Sequence, residues 1–340
     1  MSFFRLSRRA RNASKPGSRV LPGCHPASGL ALLVLAGFIG GPGQAAAATG
    51  TNALNFLGFG AGARSASLAG SVSATIHDAT ATYWNPAGLA RIEGWDLSGT
   101  HTEWLQDIRY EHVSIARNRG RSGLGFAFST LYAGNFDGRD EVGNQTQTFG
   151  FSDVSISGSY AYELSEPLHL GATARYYRES IDDNVADGFA FDLGAQYQTP
   201  VDGLRFGAVL RNLGGSYQLD MAGAGSYDLP RTVQVGGAYR LPLDGLAGAL
   251  NLSADLMAEK GLDTSLRFGA EYRYHDQFGL GFGYRTETGS ATAGDGSTLE
   301  STQNVSFGAS YNKAFRFEYA FVPFTSDLGS THRFTLGKNW

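Results

Sequence analysis

Sulfur chemistry is almost absent from this chain. Its 340 residues include a single cysteine, Cys24, which lies in the amino-terminal segment that we expect to be removed on export. The remaining sequence contains no thiol. The mature protein therefore cannot form disulfides, thiolate metal sites or a cysteine nucleophile.

Long apolar runs are also scarce. The only continuous one covers residues 30–39, which is too short to cross a bilayer as a helix. Basic residues precede this run and small residues at 45–48 follow it, a pattern typical of a secretory signal peptide. We therefore predict a cleaved signal peptide at residues 1–47 and export of the chain in an unfolded state.

Charge is low for a chain of this length. Charged residues make up 17% of the sequence, and the formal net charge is -4. No cluster of lysine and arginine follows the amino terminus, which argues against nucleic-acid binding. Glycine, in contrast, contributes 47 residues and aromatic residues 12% of the chain. This balance differs from that of soluble helical or α/β enzymes and suits a wide barrel with close-packed strands.

From residue 95 to residue 340 the sequence is a succession of short segments in which apolar and polar residues alternate. In one of them Leu266 and Phe268 point to one side of an extended chain, whereas Arg267 and Glu271 point to the other. About ten residues are enough for a tilted strand to cross a bilayer, and a closed sheet leaves no backbone group unpaired in lipid. The fold prediction is an all-β, transmembrane, antiparallel β-barrel of about 14 strands, which forms the domain 95–340.

The connections between the predicted strands alternate between short turns and longer loops. This alternation is typical of outer-membrane barrels, in which the short turns are periplasmic and the long loops extracellular. The four long loops are predicted at 133–150, 179–187, 213–231 and 289–301. The predicted strands are 95–104, 109–117, 122–132, 151–164, 167–178, 188–199, 204–212, 232–241, 249–259, 264–275, 277–288, 302–312, 315–323 and 331–340.

The segment before the first strand, residues 48–94, lacks the alternation and is rich in small residues. It nevertheless contains large apolar side chains such as Phe56, Phe59 and Trp84, which favour burial and which a flexible linker would not need. We expect this segment to pack inside the lumen as a hatch or plug.

Two pairs of motifs at opposite ends of the chain carry a resemblance to a known family. The stretches FLGFGAGAR at 56–64 and DATATYWNPAGLA at 78–90 closely resemble the start of PorV/PorQ-type outer-membrane proteins. The stretches YAFVPF at 319–324 and DLGSTHRF at 327–334 resemble their closing hairpin. The resemblance implies a FadL-like fold, with fourteen strands and an amino-terminal hatch in the lumen. The implied hatch motif is Asn85, Pro86, Ala87 and Gly88.

The resemblance leaves two functions open. The PorV/PorQ likeness implies a non-enzymatic receptor or scaffold in outer-membrane protein secretion. Such a receptor binds the carboxy-terminal signal domains of type IX secretion cargo. The FadL likeness implies a passive channel for hydrophobic small molecules, and a hydrophobic pocket would then use Phe56, Phe59 and Trp84. We rank secretion first, because the predicted lumenal face mixes arginines with carboxylates and disfavours a wide apolar tunnel. The candidates for lumenal ion pairs are Arg267, Glu271, Arg273, Arg316 and Glu318.

No arrangement of nucleophile, base and orienting partner stands out, so we predict no enzyme activity, no catalytic residue, no cofactor and no metal site. The expected location is the bacterial outer membrane. The expected partners are outer-membrane lipid, secreted cargo domains or other outer-membrane proteins, and the insertion machinery. That machinery would recognise the carboxy-terminal strand, in which Phe334, Leu336 and Trp340 share a face.

Overall fold

The strands of this chain close on themselves. The computed structural model describes residues 55–104, 108–139, 143–181, 184–217, 227–286, 290–292, 298–300, 304–324 and 329–340. Fourteen antiparallel strands form one closed barrel, in which the last strand pairs with the first. Each barrel strand therefore has a partner on both sides, and the fold prediction is confirmed. The predicted signal peptide and residues 48–54 of the predicted hatch lie outside the described residues.

The barrel strands are between eight and 21 residues long. They are β1 (Trp95–Glu103), β2 (Arg109–Arg119), β3 (Ser122–Arg139), β4 (Gln145–Ser165), β5 (Leu168–Ile181), β6 (Asn184–Gln198), β7 (Leu204–Gly214), β8 (Thr232–Leu243), β9 (Gly248–Glu259), β10 (Ser265–Tyr274), β11 (Phe278–Arg285), β12 (Val305–Asn312), β13 (Arg316–Pro323) and β14 (Ser330–Asn339).

The predicted loop over 133–150 is wrong in extent, because β3 continues to Arg139 and β4 already begins at Gln145. Two register shifts interrupt the pairing of these strands between Ala133 and Arg139. A β-bulge adds a residue to one strand and so destroys the period-two pattern in the sequence, although the strands continue to pair. The loops predicted at 179–187, 213–231 and 289–301 also contain residues in strands.

The two faces of the sheet differ as the alternation predicted. Outward side chains such as Phe126, Phe268 and Leu280 are between 44% and 65% exposed, whereas the inward Arg267 and Glu271 are 7% and 3% exposed. An apolar outer surface with a polar interior is the pattern of a barrel that spans a membrane. Among the described residues, no helix combines the length and the apolar character that a membrane span requires.

At one end of the barrel every connection between strands is short, with five residues at most, whereas the longest connections lie at the other end. A two-residue turn connects β2 to β3, and another connects β4 to β5. At the same end, the backbones of Trp95 and Trp340 form two hydrogen bonds of 2.8 and 3.0 Å. The indole rings of these tryptophans are stacked, with centroids 6.2 Å apart. Short turns face the periplasm in bacterial outer-membrane barrels, and we therefore call this the periplasmic end.

The lipid-facing rows can be tested by placing a charge in them. We expect Phe268→Arg to lower the free energy of unfolding by roughly 2 to 4 kcal/mol, because the guanidinium would lie in hydrocarbon near the middle of β10. Phe307→Arg on β12 should behave alike, and Phe268→Leu should have little effect. Urea unfolding in lipid vesicles and heat-modifiable gel mobility measure the change. Unaltered stability of both arginine variants would mean that these rows do not face lipid.

Candidate functional site

Residues 55–94, here called the inner segment, fill part of the barrel. The segment contains a 3-10 helix at Asn55–Gly58, the helices α1 (Ala63–Ser67) and α2 (Ala81–Trp84), and a second 3-10 helix at Pro86–Arg91. Most of its side chains are buried, and its hydrogen bonds go to inward-facing side chains of strands around the barrel. The inner segment therefore lies in the lumen.

The Asn-Pro-Ala-Gly motif joins two helices of the inner segment. Asn85 Oδ1 accepts a hydrogen bond of 3.2 Å from the Ala87 N–H and so caps the 3-10 helix that begins at Pro86. Proline lacks an N–H, but the first residue of a helix has no helical partner for that group. Asn85 Nδ2 donates to the carbonyl oxygen of Ser73 at 2.8 Å and to a carbonyl of β6. A Cβ atom at Gly88 would lie only 2.2 Å from a carbonyl oxygen of the segment. The motif thus fixes the fold of the inner segment and its contact with the wall.

Inward-facing glycines of the strands let the backbone of the inner segment approach the barrel wall. A Cβ atom at Gly171 of β5 would lie 2.4 Å from the nitrogen of Ala87, and one at Gly207 of β7 would lie 2.3 Å from the carbonyl carbon of Ser73. Both distances are shorter than any normal contact of a Cβ atom. The abundance of glycine is therefore explained in part by close packing between wall and inner segment.

A buried ion pair ties the inner segment to the wall. Arg64 of α1 binds Glu271 of β10 through two hydrogen bonds of 2.8 Å, from Nε to Oε1 and from Nη2 to Oε2. Its backbone N–H also donates to Oε2 of Glu318 at 3.1 Å. Glu271 accepts a further hydrogen bond from Asn251 at 3.3 Å, and its Oε1 lies 3.8 Å from Nη1 of Arg273. This arrangement satisfies both charges in a site that excludes most water.

A second pair continues the network toward β1. Arg316 binds Asp96 through Nη1 and Nη2 at 2.8 and 3.1 Å, and its Nε lies 3.3 Å from Oε1 of Glu318. Asp96 Oδ1 also accepts a hydrogen bond of 2.9 Å from the backbone N–H of Ala79 in the inner segment. The two pairs share Glu318, and together they connect the segment to β1, β10 and β13.

Asp78 adds a carboxylate of the inner segment to this network. It accepts hydrogen bonds from the backbone N–H and the hydroxyl of Thr80, just before α2. Burial by itself would raise the pKa of the Asp78 carboxyl, but the charge of Arg316 and the bond from Thr80 outweigh burial and hold this pKa below its usual range. Asp78 is therefore ionised at neutral pH.

Four of the five predicted ion-pair residues, namely Glu271, Arg273, Arg316 and Glu318, meet in this network. Arg267 instead donates from Nη1 to the carbonyl oxygen of Ala69 at 3.3 Å, and so also binds the inner segment. Sequence reasoning missed Arg64 and Asp96, which complete the pairs. The alternation in β1 places Asp96 on the inward face and could have identified it, but no periodic pattern marks Arg64.

The three residues of the predicted hydrophobic pocket are divided between two clusters, with Phe56 and Phe59 at one and Trp84 in the other. Phe56 lies in a buried apolar cluster with Tyr110, and the ring of Phe59 packs 4.4 Å from that of Trp104. Trp84 lies in another buried cluster and donates from Nε1 to the carbonyl oxygen of Ala61 at 2.6 Å. A pocket shared by these three side chains stays a prediction.

A polar cavity of about 660 Å³ lies at the periplasmic end of the lumen. We call it the periplasmic vestibule. Inner-segment residues line one side, and inward-facing residues near the periplasmic ends of the strands line the other. Its charged lining includes both ion pairs described above and, in addition, Arg91, Arg205, Arg240 and Asp276. Among the described residues, no group of three or more metal-ligating side chains is placed to hold an ion.

The contact between wall and inner segment can be tested at a single glycine. We expect Gly207→Ala to destabilise the protein by about 1 to 3 kcal/mol and to expose the inner segment to protease, because the added methyl group overlaps the backbone of Ser73. Gly158→Ala is the matched control, since its Cβ would lie 3.7 Å from the outward ring of Phe126. Equal protease resistance of both variants would refute close packing at Gly207.

The buried ion pair can be tested by removing one partner. We expect Arg64→Met to cost about 3 to 5 kcal/mol, because the carboxylate of Glu271 would stay buried without its main partner. The double variant Arg64→Met/Glu271→Met should recover part of this loss, and Lys260→Gln, in an exposed pair with Asp228, should change little. Thermal unfolding in detergent measures these three variants and the single variant Glu271→Met. A double variant as unstable as the sum of its single variants would contradict coupling of the pair.

The sequence matches two family models. The model described as type IX secretion system membrane protein PorP/SprF matches residues 138–337, which is more than half of the chain. A model of an uncharacterised protein family, UPF0164, matches residues 38–179. No curated protein matches the sequence.

Solved structures with a similar fold include three transporters or channels. The toluene transporter TbuX of Ralstonia pickettii is 16% identical with a TM-score of 0.56, and the match covers 83% of this chain and 98% of that one. The toluene transporter TodX of Pseudomonas putida is 13% identical with a TM-score of 0.55, covering 83% and 99%. The monoaromatic hydrocarbon channel CymD is 15% identical with a TM-score of 0.54, covering 83% and 98%. At such identities the likeness shows the fold alone, a FadL-like outer-membrane β-barrel.

Proposed function

This chain belongs to the PorP/SprF family of type IX secretion system membrane proteins, and from this membership we propose that it is a non-enzymatic receptor or scaffold in outer-membrane protein secretion. Its partners would be secreted cargo domains or other outer-membrane proteins of the same system. The likeness of its end motifs to PorV/PorQ-type proteins supports the same role, and this finer assignment stays a prediction.

The observation that carries the proposal is the attachment of the inner segment to the wall. The segment contacts strands around the barrel through the Arg64–Glu271 pair, through Gln196 to the Ser73 carbonyl oxygen and through Asp255 to the Ser73 N–H. Two of these contacts are buried and the Arg64–Glu271 pair is largely buried, so displacement of the segment would leave polar groups without partners. A lumen that is partly filled by a tightly bonded segment supports a binding or assembly role better than it supports an open pore.

A second function has a specific observation in its favour. The fold resembles that of barrels described as hydrocarbon channels, and the long-loop end of the lumen contains an apolar cluster that includes Phe56, Leu57, Tyr110 and Leu131. Rearrangement of this cluster would create an apolar site for a hydrophobic molecule that enters from outside. In that case the protein would be a passive channel for hydrophobic small molecules.

Secretion is tested in a strain of the native bacterium that lacks the gene. We expect the culture medium to lose a subset of secreted proteins that carry type IX signal domains, and the wild-type gene to restore them. Release of a periplasmic enzyme into the medium serves as the control for an intact outer membrane. Unchanged secretion in a strain with confirmed loss of the protein would contradict the proposal.

The channel alternative makes a different prediction for the purified protein. Liposomes that contain it would take up radiolabelled toluene faster than empty liposomes, and deletion of residues 55–94 would not be needed for this uptake. The secretion proposal expects no such acceleration for the intact chain. The two functions are thus separated by one measurement in cells and one in vitro.

We also propose that residues 1–47 are a signal peptide that is removed on export. The protein purified from the outer membrane should then begin near residue 48. Its intact mass, measured by mass spectrometry, tests this assignment.

A further inference from the structure

The charges of the periplasmic vestibule are unevenly distributed. On one side, Arg64 and Arg316 form close pairs with carboxylates. On the other side, Arg91 of the inner segment and Arg205 of β7 form no ion pair with any carboxylate of the described residues. The nearby Arg240 pairs with Asp276 at the exposed rim, with Nη2 3.2 Å from Oδ1. Neither Arg91 nor Arg205 thus has a carboxylate of the described residues within ion-pair distance, although Asp78 and Glu93 line the same cavity.

Arg91 is held in place at the cavity wall. Its Nη1 donates to Oε1 of Gln196 at 3.0 Å, and Gln196 is oriented because its Nε2 donates to the carbonyl oxygens of Ser73 and Ile76 at 3.1 and 3.0 Å. One Nη of Arg91 is thus engaged, and the rest of its guanidinium is available to a ligand. The guanidinium of Arg205 makes no hydrogen bond with the described residues.

The two cations disfavour one another in this site. The pKa of Arg91 is lowered to about 10. Burial is the larger cause, and repulsion by the charge of Arg205 is the smaller one. Both side chains remain charged at neutral pH, so the electrostatic repulsion between the two guanidinium groups persists. An anion that contacts both would remove the repulsion and restore the solvation that each guanidinium has lost.

We propose that the periplasmic vestibule binds an oxyanion between Arg91 and Arg205, either a carboxylate of an acidic peptide segment or a phosphate. A planar guanidinium donates parallel hydrogen bonds that match both groups. The cavity opens at the periplasmic end and, at about 660 Å³, is large enough for several residues of an extended peptide. The site does not depend on the secretion role, because it involves only the vestibule and its own arginines.

The test measures binding to the purified full-length protein in nanodiscs by isothermal titration calorimetry. The probes are a hexaglutamate peptide, inorganic phosphate and, as the charge-reversed control, a hexalysine peptide. We expect at least one anionic probe to bind, hexalysine not to bind, and affinity to fall as sodium chloride is raised. Binding by the peptide alone, by phosphate alone or by both supports the site and identifies which source of oxyanion it accepts.

Variants then connect binding to the two arginines. We expect Arg205→Gln to weaken binding about tenfold and Arg91→Gln/Arg205→Gln to abolish it, because each guanidinium contributes charge-assisted hydrogen bonds. Arg117→Gln is the matched control, since Arg117 lies at the same end but faces outward over the ring of Trp95. Heat-modifiable mobility verifies that each variant is folded, and Arg205→Gln alone suffices if Arg91→Gln disturbs the inner segment.

Two results would overturn the proposal. The first is the absence of binding by both anionic probes at millimolar concentration and low salt. The second is an affinity that is the same in wild type and in folded Arg205→Gln. Neither result bears on secretion by the deletion strain, so failure of this site is distinguishable from failure of the proposed function.

Discussion

Backbone hydrogen bonding in lipid is the constraint on which the rest of this structure depends. Hydrocarbon offers no partner for an N–H or a carbonyl group, so an open sheet edge inside the membrane would leave a row of them unpaired. The pairing of β14 with β1 removes that edge, and it is completed at the periplasmic end by the two hydrogen bonds between Trp95 and Trp340. Closure also forces the side chains to divide into a lipid-facing set and a lumenal set.

Closure of fourteen strands creates a lumen that short side chains cannot fill, and the inner segment occupies it. Its backbone can approach the wall only where inward residues have no Cβ, as at Gly171 and Gly207. The charges of the wall need partners once water is displaced, and Arg64 supplies one for Glu271. Packing and electrostatics therefore fix the segment together, and the polar vestibule lies at the periplasmic end.

The strands could be located from the sequence because each has one face in lipid and one in the lumen. On β10, for example, Leu266, Phe268 and Ala270 face lipid, whereas Arg267 and Glu271 face the lumen. The prediction was wrong between residues 133 and 150, where register shifts break the period without ending the pairing. The lumenal charges Glu271 and Arg316 could be assigned to a face, but their partners Arg64 and Asp96 were not identified, since alternation specifies a direction and not a neighbour.

The sequence by itself determined the class of fold, the approximate strand number and the face of each strand. Each strand has lipid on one side and the polar lumen on the other, so apolar and polar residues alternate along it. Only the tertiary structure decided which charges meet, where glycine admits the inner segment, and that Arg91 and Arg205 share a cavity. These contacts join residues more than eighty positions apart in the chain, and their geometry follows from closure of the barrel. No local pattern encodes such distances.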